Sequence, residues 1–143
     1  MTVIVTDTGF APDDWTAPFV ALADLAANTD GPDGGHALAI DLGPTDDPAT
    51  LRDRLAHIDL IRVAFPAFSD GRGFTIGRSL RRMGYCGRLR AAGHVIADQY
   101  AMARRDGFDE VEISADLALR QPQADWLARA DWRDHDYQKR LRG

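Results

Sequence analysis

Cysteine and lysine are almost absent from this chain, which has one of each among its 143 residues, Cys86 and Lys139. A single cysteine excludes an internal disulfide framework, and also a cysteine-based zinc or iron–sulfur site within one chain. The four histidines stand apart without a His-x-x-His spacing, so we expect no metal site. A chain without a disulfide framework suits the reducing cytoplasm.

Long apolar runs are missing as well. No stretch of eighteen apolar residues occurs, which predicts no membrane span, and the start MTVIVTDTGF lacks the basic region and apolar core of a signal peptide. Neither a Gly-x-Gly-x-x-Gly nor a Walker-type sequence is present, and no serine elbow or Cys–His pair stands out. We therefore predict a cytoplasmic protein without a cofactor, and whether it is an enzyme stays open.

Positive charge is scarce in the first part of the chain and concentrated in the middle. Residues 1–60 have a net charge of −9, residues 61–107 of +6 and residues 108–143 of −2, which makes −5 for the whole. The acidic first part argues against a nucleic-acid partner. The basic middle favours a small anion as ligand, unless its arginines cap helix ends and pair with the acidic flanks.

Strand-like and helix-like segments alternate along the chain. The strand-like segments are Thr2–Thr6, Ala37–Leu42, Leu60–Phe65, Arg88–Ala92 and Glu110–Ile113. Helical spacing of apolar residues covers Trp15–Ala27, Pro48–Ile58 after a capping Asp47, Thr75–Met83 and Val95–Asp106. The alternation predicts one α/β domain over residues 1–143, with a mainly parallel sheet of about five strands, crossover helices, and barrel-like or flavodoxin-like βα units.

Two of the predicted helices end in the same way, with Arg-Arg-x-Gly followed by an aromatic residue. The pairs are Gly84-Tyr85 and Gly107-Phe108. Glycine can adopt the left-handed conformation that closes a helix, so we expect a helix end at each glycine.

The densest candidate site is the stretch from Phe65 to Thr75, which follows a strand and opens a helix. Gly71 and Gly73 would let backbone amides approach a ligand, and Arg72 offers a planar fork for sulfite, sulfate or phosphate. Arg90, on the next strand, would add a second cation. Asp70 would act as a catalytic acid or base, or would only cap the helix or orient Arg72.

A second group follows the next strand, where His94 and Asp98 open a helix. If the strands are parallel, these side chains lie at the same sheet edge as Asp70 and would complete a catalytic set. The alternative is that both residues only start a helix, where Asp98 favours the helix dipole.

The C-terminal segment, residues 122–143, is either a last helix or a tail. We expect Trp126 and Leu127 to dock on the domain, while Trp132 and Tyr137 stay partly exposed and bind a partner protein.

The middle of the chain resembles a family of uncharacterised bacterial proteins, typically encoded beside assimilatory sulfite reductase and described as oxidoreductases of sulfite reduction. The matching residues are Phe65-Pro66, Ser69 through Thr75, Leu80-Arg81, Gly84-Tyr85, Gly87, Leu89-Arg90-Ala91, Gly93, Asp98-Gln99, and Arg105-x-Gly107-Phe108-Asp109. The resemblance implies an accessory role in sulfur assimilation, with sulfite reductase as partner. Two alternatives remain: a small oxidoreductase or transferase using a soluble cofactor, and a non-catalytic interaction scaffold.

Overall fold

The computed structural model of the chain describes residues 2–25 and 38–132, and it is a mixed α/β fold. The strands are β1 (Thr2–Thr6), β2 (Gly9–Ala11), β3 (Phe19–Ala21), β4 (Ala39–Leu42), β5 (Leu60–Phe65), β6 (Arg88–Gly93) and β7 (Glu110–Ser114). The helices are α1 (Leu22–Leu25), α2 (Arg72–Arg82), α3 (Tyr100–Arg105), α4 (Ala115–Arg120) and α5 (Gln123–Leu127), with 3₁₀ helices at Pro48–His57 and Ala97–Gln99.

All seven strands form one sheet in the order β2-β1-β7-β6-β5-β4-β3. Strands β3 to β7 are parallel to one another, whereas β1 is antiparallel to both β7 and β2. The mainly parallel sheet is confirmed, but the expected count of about five strands is too low. The missed strands, β2 and β3, have three residues each, which is too short for a period-two pattern to be recognised.

The parallel strands follow one another in chain order, as they do in barrel-like βα units. Each of these strands is added on the same side of the one before it. Because crossovers between parallel strands are right-handed, the connecting helices then lie on one face of the sheet. On β5, Phe65 faces that helical side and packs against Phe74 and Phe108, with ring centroids 4.9 and 5.9 Å away. Arg62 and Ala64, at alternate positions, face the other side, which we call the open face.

The predicted helix over Trp15–Ala27 is wrong. Phe19–Ala21 is strand β3, and only Leu22–Leu25 are helical among the described residues. Pro18 explains the difference, because a proline lacks an amide donor and disfavours helical backbone at the residue before it. The end of the predicted helix lies outside the described residues.

The two repeated helix ends are confirmed. Gly84 and Gly107 have φ angles of +99° and +103°, and the amides of Tyr85 and Phe108 donate to the carbonyls of Leu80 and Ala103. These are the bonds of a glycine-terminated helix. The capping position of Asp47 is confirmed too, since its carboxylate accepts the amide of Ala49 at 2.9 Å.

The predicted helix over Thr75–Met83 begins earlier than expected, as α2 at Arg72, and the one over Val95–Asp106 begins later, at Ala97. Within residues 2–25 and 38–132, no helix has the length and apolar character needed to cross a bilayer.

Candidate functional site

Charged side chains cross the open face of the sheet in one register row. Asp41 pairs in register with Arg62, Arg62 with Arg90, and Arg90 with Glu110. Arg62 donates to both oxygens of Asp41 at 2.6 and 2.8 Å and to Glu112 at 3.3 Å. Arg90 donates to Glu110 at 2.5 Å and to Glu112 at 2.7 Å. We call Asp41, Arg62, Arg90 and Glu110, together with Glu112 two positions further along β7, the charged row.

The connection from β2 to β3, residues 12–18, crosses over this row. Strands β2 and β3 lie at opposite edges of the sheet, so this connection has to span the open face, and we call it the strap. Asp13 binds Arg90 at 3.1 and 3.2 Å, and Asp14 binds Arg88 at 2.6 Å.

Arg90 lies at the centre of this network. Its side chain has 0% exposure and contacts three carboxylates, those of Asp13, Glu110 and Glu112. Burial alone would lower the pKa of Arg90, but these carboxylates outweigh burial and raise it. Burial would likewise raise the pKa of Asp13, yet the hydrogen bonds and charge of Arg90 lower it. Arg90 is thus held as a buried cation between carboxylates of the protein itself.

Most arginines in the basic middle of the chain, residues 61–107, are ion-paired in this way. The arginines of residues 61–107 with a carboxylate within 4 Å are Arg62, Arg72, Arg78, Arg81, Arg88, Arg90 and Arg104. The interpretation that these arginines pair with the acidic flanks is therefore confirmed for five of them, whereas Arg72 and Arg78 pair with Asp70 and Asp106 inside the basic middle itself.

An open pocket of about 490 Å³ lies on the open face beside the charged row, at the carboxyl ends of β3 to β7. Its lining is Ala21, Asp41, Leu42, Gly43, Asp46, Arg62, Ala64, Ala92, Gly93 and Glu112. Small residues form its floor, and its polar groups are three carboxylates and one guanidinium. The Arg62 guanidinium stacks 3.6 Å from the centre of the Phe19 ring, which fixes it as one wall. Ligands of parallel α/β sheets bind at this edge.

The loop predicted to bind an anion lies at the same edge of the sheet. Its cation, Arg72, is already ion-paired with Asp70. Arg72 donates to Asp70 at 2.9 and 2.6 Å, and the Arg72 amide donates to the same carboxylate at 3.1 Å. The Arg72 guanidinium, together with its amide, holds the pKa of Asp70 down at about 2. A methyl group at Gly73 would lie 2.4 Å from the Phe65 ring, so Gly73 is needed for packing, whereas Gly71 has open space around it.

His94 and Asp98 follow β6, at the same edge as Asp70. The His94 amide donates to the Phe65 carbonyl at 2.8 Å, and the exposed imidazole meets the Phe68 ring edge-on at 5.0 Å. Asp98 pairs with Arg129 at 2.8 Å on the surface. As expected, β5 and β6 are parallel, so the loops that follow them lie at the same edge of the sheet. A catalytic role for Asp70, His94 and Asp98 stays a prediction.

The predicted burial of Trp126 and the predicted partial exposure of Trp132 are confirmed. Trp126 is buried against Tyr100, and Trp132 is half-buried, donating to Asp7 at 3.3 Å under Arg104. The expectation for Leu127 is wrong, because its side chain is exposed. Tyr137 lies outside the described residues.

Sequence reasoning missed most of the pocket and all of the strap contacts. Asp41 and Arg62 each interrupt an otherwise apolar strand, and Glu112 lies on a strand that alternates polar and apolar residues, whereas a strand of a parallel sheet is normally apolar on both faces. Charged residues at alternate positions of several neighbouring strands were the sequence signal that could have predicted a polar face of the sheet. Within the described residues, no cluster of histidine, cysteine and carboxylate side chains has the arrangement of a metal site.

A family model of a bacterial protein of unknown function, DUF934, matches residues 39–143. The chain belongs to this family. The DUF934 match covers β4 to β7 and every pocket residue except Ala21. The description of DUF934 assigns no activity and mentions no sulfite reductase. None of the curated proteins compared with the chain matches it.

Proposed function

We propose that the chain is a cytoplasmic accessory protein of assimilatory sulfite reduction, which binds a small ligand at the carboxyl edge of its sheet and acts beside sulfite reductase. The observation that carries the ligand part is the pocket over Ala64, Ala92 and Gly93, walled by Arg62. The pathway part is supported by the resemblance of residues 65–109 to proteins encoded beside that reductase. The loop containing Asp70 and Arg72 borders the same edge.

The accessory role predicts a sulfur-source phenotype that depends on the pocket. Removing the gene from its bacterium should prevent growth on sulfate but not on cysteine. Ala64→Leu puts an apolar side chain onto the pocket floor, where Ala64 is exposed, so it should not restore growth on sulfate. Ala56→Leu makes the same change at an exposed position outside the pocket and should restore it.

Two outcomes would contradict this proposal. Normal growth of the deletion strain on sulfate would exclude the pathway role. Restoration by Ala64→Leu, at wild-type protein levels, would exclude the pocket as its basis. Co-purification of sulfite reductase with the tagged full chain tests the partner separately.

Oxyanion binding at the α2 loop is part of the same proposal, with sulfite, sulfate or phosphate as the ion. Because Asp70 occupies the fork of Arg72, an external oxyanion must compete with a carboxylate of the chain itself. Asp70→Asn removes that competitor's charge. We therefore expect sulfate to raise the melting temperature of Asp70→Asn more than that of the wild type, at constant ionic strength with chloride as reference.

Arg72→Ala is the matched variant for this measurement, since it removes the cation of the loop and should lack the additional sulfate-specific shift expected for Asp70→Asn. If Asp70→Asn and Arg72→Ala respond to sulfate equally, the loop is only a helix start. The pocket proposal does not depend on this result, because the pocket lining does not include Arg72.

A further inference from the structure

A second concave site lies between the first turns of the 3₁₀ helix Pro48–His57 and the last turn of α2. It has a volume of about 240 Å³, and its lining is Asp47, Pro48, Ala49, Arg52, Ser79, Arg82 and Met83. We call it the Arg52–Arg82 groove. It shares no residue with the pocket at the carboxyl edge.

The charge state of this groove differs from that of the charged row. Among the described residues, no carboxylate lies within 4 Å of either Arg52 or Arg82, although most other arginines there are ion-paired. Both side chains are exposed, and Ser79 on α2 adds a hydroxyl group to the lining of the groove. The one carboxylate on the rim, that of Asp47, already accepts the Ala49 amide.

We propose that the Arg52–Arg82 groove binds a tetrahedral oxyanion, either free phosphate or sulfate, or the same group in an ester. Two guanidinium groups supply charge-assisted donors in planar forks that match such oxygens. The Ser79 hydroxyl supplies a further donor. Pro48, Ala49 and Met83 form an apolar wall on which the remainder of an ester would rest.

Arg82 also has a structural role that any test must separate from binding. It lies in the last turn of α2, where a cation stabilises the negative end of the helix dipole. Arg120 lies in the last turn of α4, is exposed, and is not part of either concave site. Arg120→Ala therefore removes the same charge from the same kind of position and serves as the matched control.

The test is calorimetric titration of the full chain with inorganic phosphate and with glycerol 3-phosphate, at constant ionic strength set with chloride. We expect saturable binding by the wild type and by Arg120→Ala. Arg52→Ala and Arg82→Ala should each weaken it at least tenfold, and the double variant should abolish it, with Arg72→Ala present in every protein compared because the α2 loop is the other proposed oxyanion site. Tighter binding of the ester would identify an esterified ligand, and equal binding would identify the free ion.

The proposal is overturned if the wild type shows no saturable binding of either ion. It is also overturned if Arg120→Ala loses as much affinity as Arg52→Ala, since that would reflect net charge alone. Thermal unfolding without phosphate verifies that each variant is folded. Because the groove and the pocket are separate, Ala64→Leu should bind phosphate like the wild type, so failure of this proposal leaves the pocket untouched.

Discussion

Replacing Arg90 with methionine is expected to lower the free energy of unfolding by about 3–5 kcal/mol, the range seen when one partner of a buried ion pair is removed. Methionine keeps an unbranched apolar stem in the space of the buried arginine. It leaves Glu110 and Glu112, which are 6% and 12% exposed, without their shared cation. It also releases Asp13, one of the two strap carboxylates that bind the sheet. Urea unfolding at neutral pH measures the difference.

The same variant should respond to acid in the opposite sense from the wild type. In the wild type, the pKa of Asp13 is lowered by Arg90, so its contribution is complete above the unfolded value of 3.8 and is lost as the pH falls through the folded value. In Arg90→Met, Glu110 and Glu112 keep only Arg88 and Arg62 as partners, so protonation relieves the negative charge that Arg90 no longer balances. The difference in free energy of unfolding between the wild type and Arg90→Met should therefore become smaller as the pH falls from about 7 to about 4.

Arg88→Met is the matched control for the charged row. Arg88 also pairs with Glu110 and with a strap carboxylate, Asp14, but its side chain is 27% exposed and Asp14 is mostly in solvent. A smaller loss is expected, because exposed pairs contribute little. If Arg88→Met and Arg90→Met were equally destabilised, or if the Arg90→Met gap widened in acid, the buried network would not be what holds the strap.

The main strands could be predicted because each carries its own local signal. Leu60–Phe65 was predicted with the bounds that the structure has, since a short apolar run between turn residues is a property of the run itself. Strand β3 could not be recognised in the same way. Its three residues become a strand by pairing with β4, a contact between segments that the sequence pattern does not encode.

The loops after β5 and β6 were predicted to lie at one edge of the sheet, and they do, but the sequence does not show which arginines are ion-paired. Arg72 and Arg90 stood out as cations, and sequence gives no indication that Asp70 and the strap would neutralise them. The contact of Asp13 with Arg90 joins residues 77 positions apart, and it depends on β2 and β3 lying at opposite edges. Free charge is found instead at Arg52 and Arg82, which only the packing of two helices brings together.

Replacing Trp126 with alanine is expected to cost about 3–5 kcal/mol of stability, as removal of a large buried aromatic side chain does. Trp126 is 1% exposed, its indole donates to the Gln121 carbonyl at 2.9 Å, and its ring packs edge-on against Tyr100 at 6.1 Å. The side chain thus ties α5 to the core of the helical face. Thermal and urea unfolding of Trp126→Ala measure the loss.

Trp132→Ala is the comparison that separates a core role from a partner role in the same C-terminal segment. Trp132 is only half-buried and contacts Asp7 and Arg104 at the surface, so its loss should cost about 1–2 kcal/mol, within the common range for single substitutions. We expect Trp132→Ala to stay folded and to lose co-purification with sulfite reductase. Retained co-purification would remove Trp132 from the proposed interface. Destabilisation equal to that of Trp126→Ala would make the whole segment part of the core.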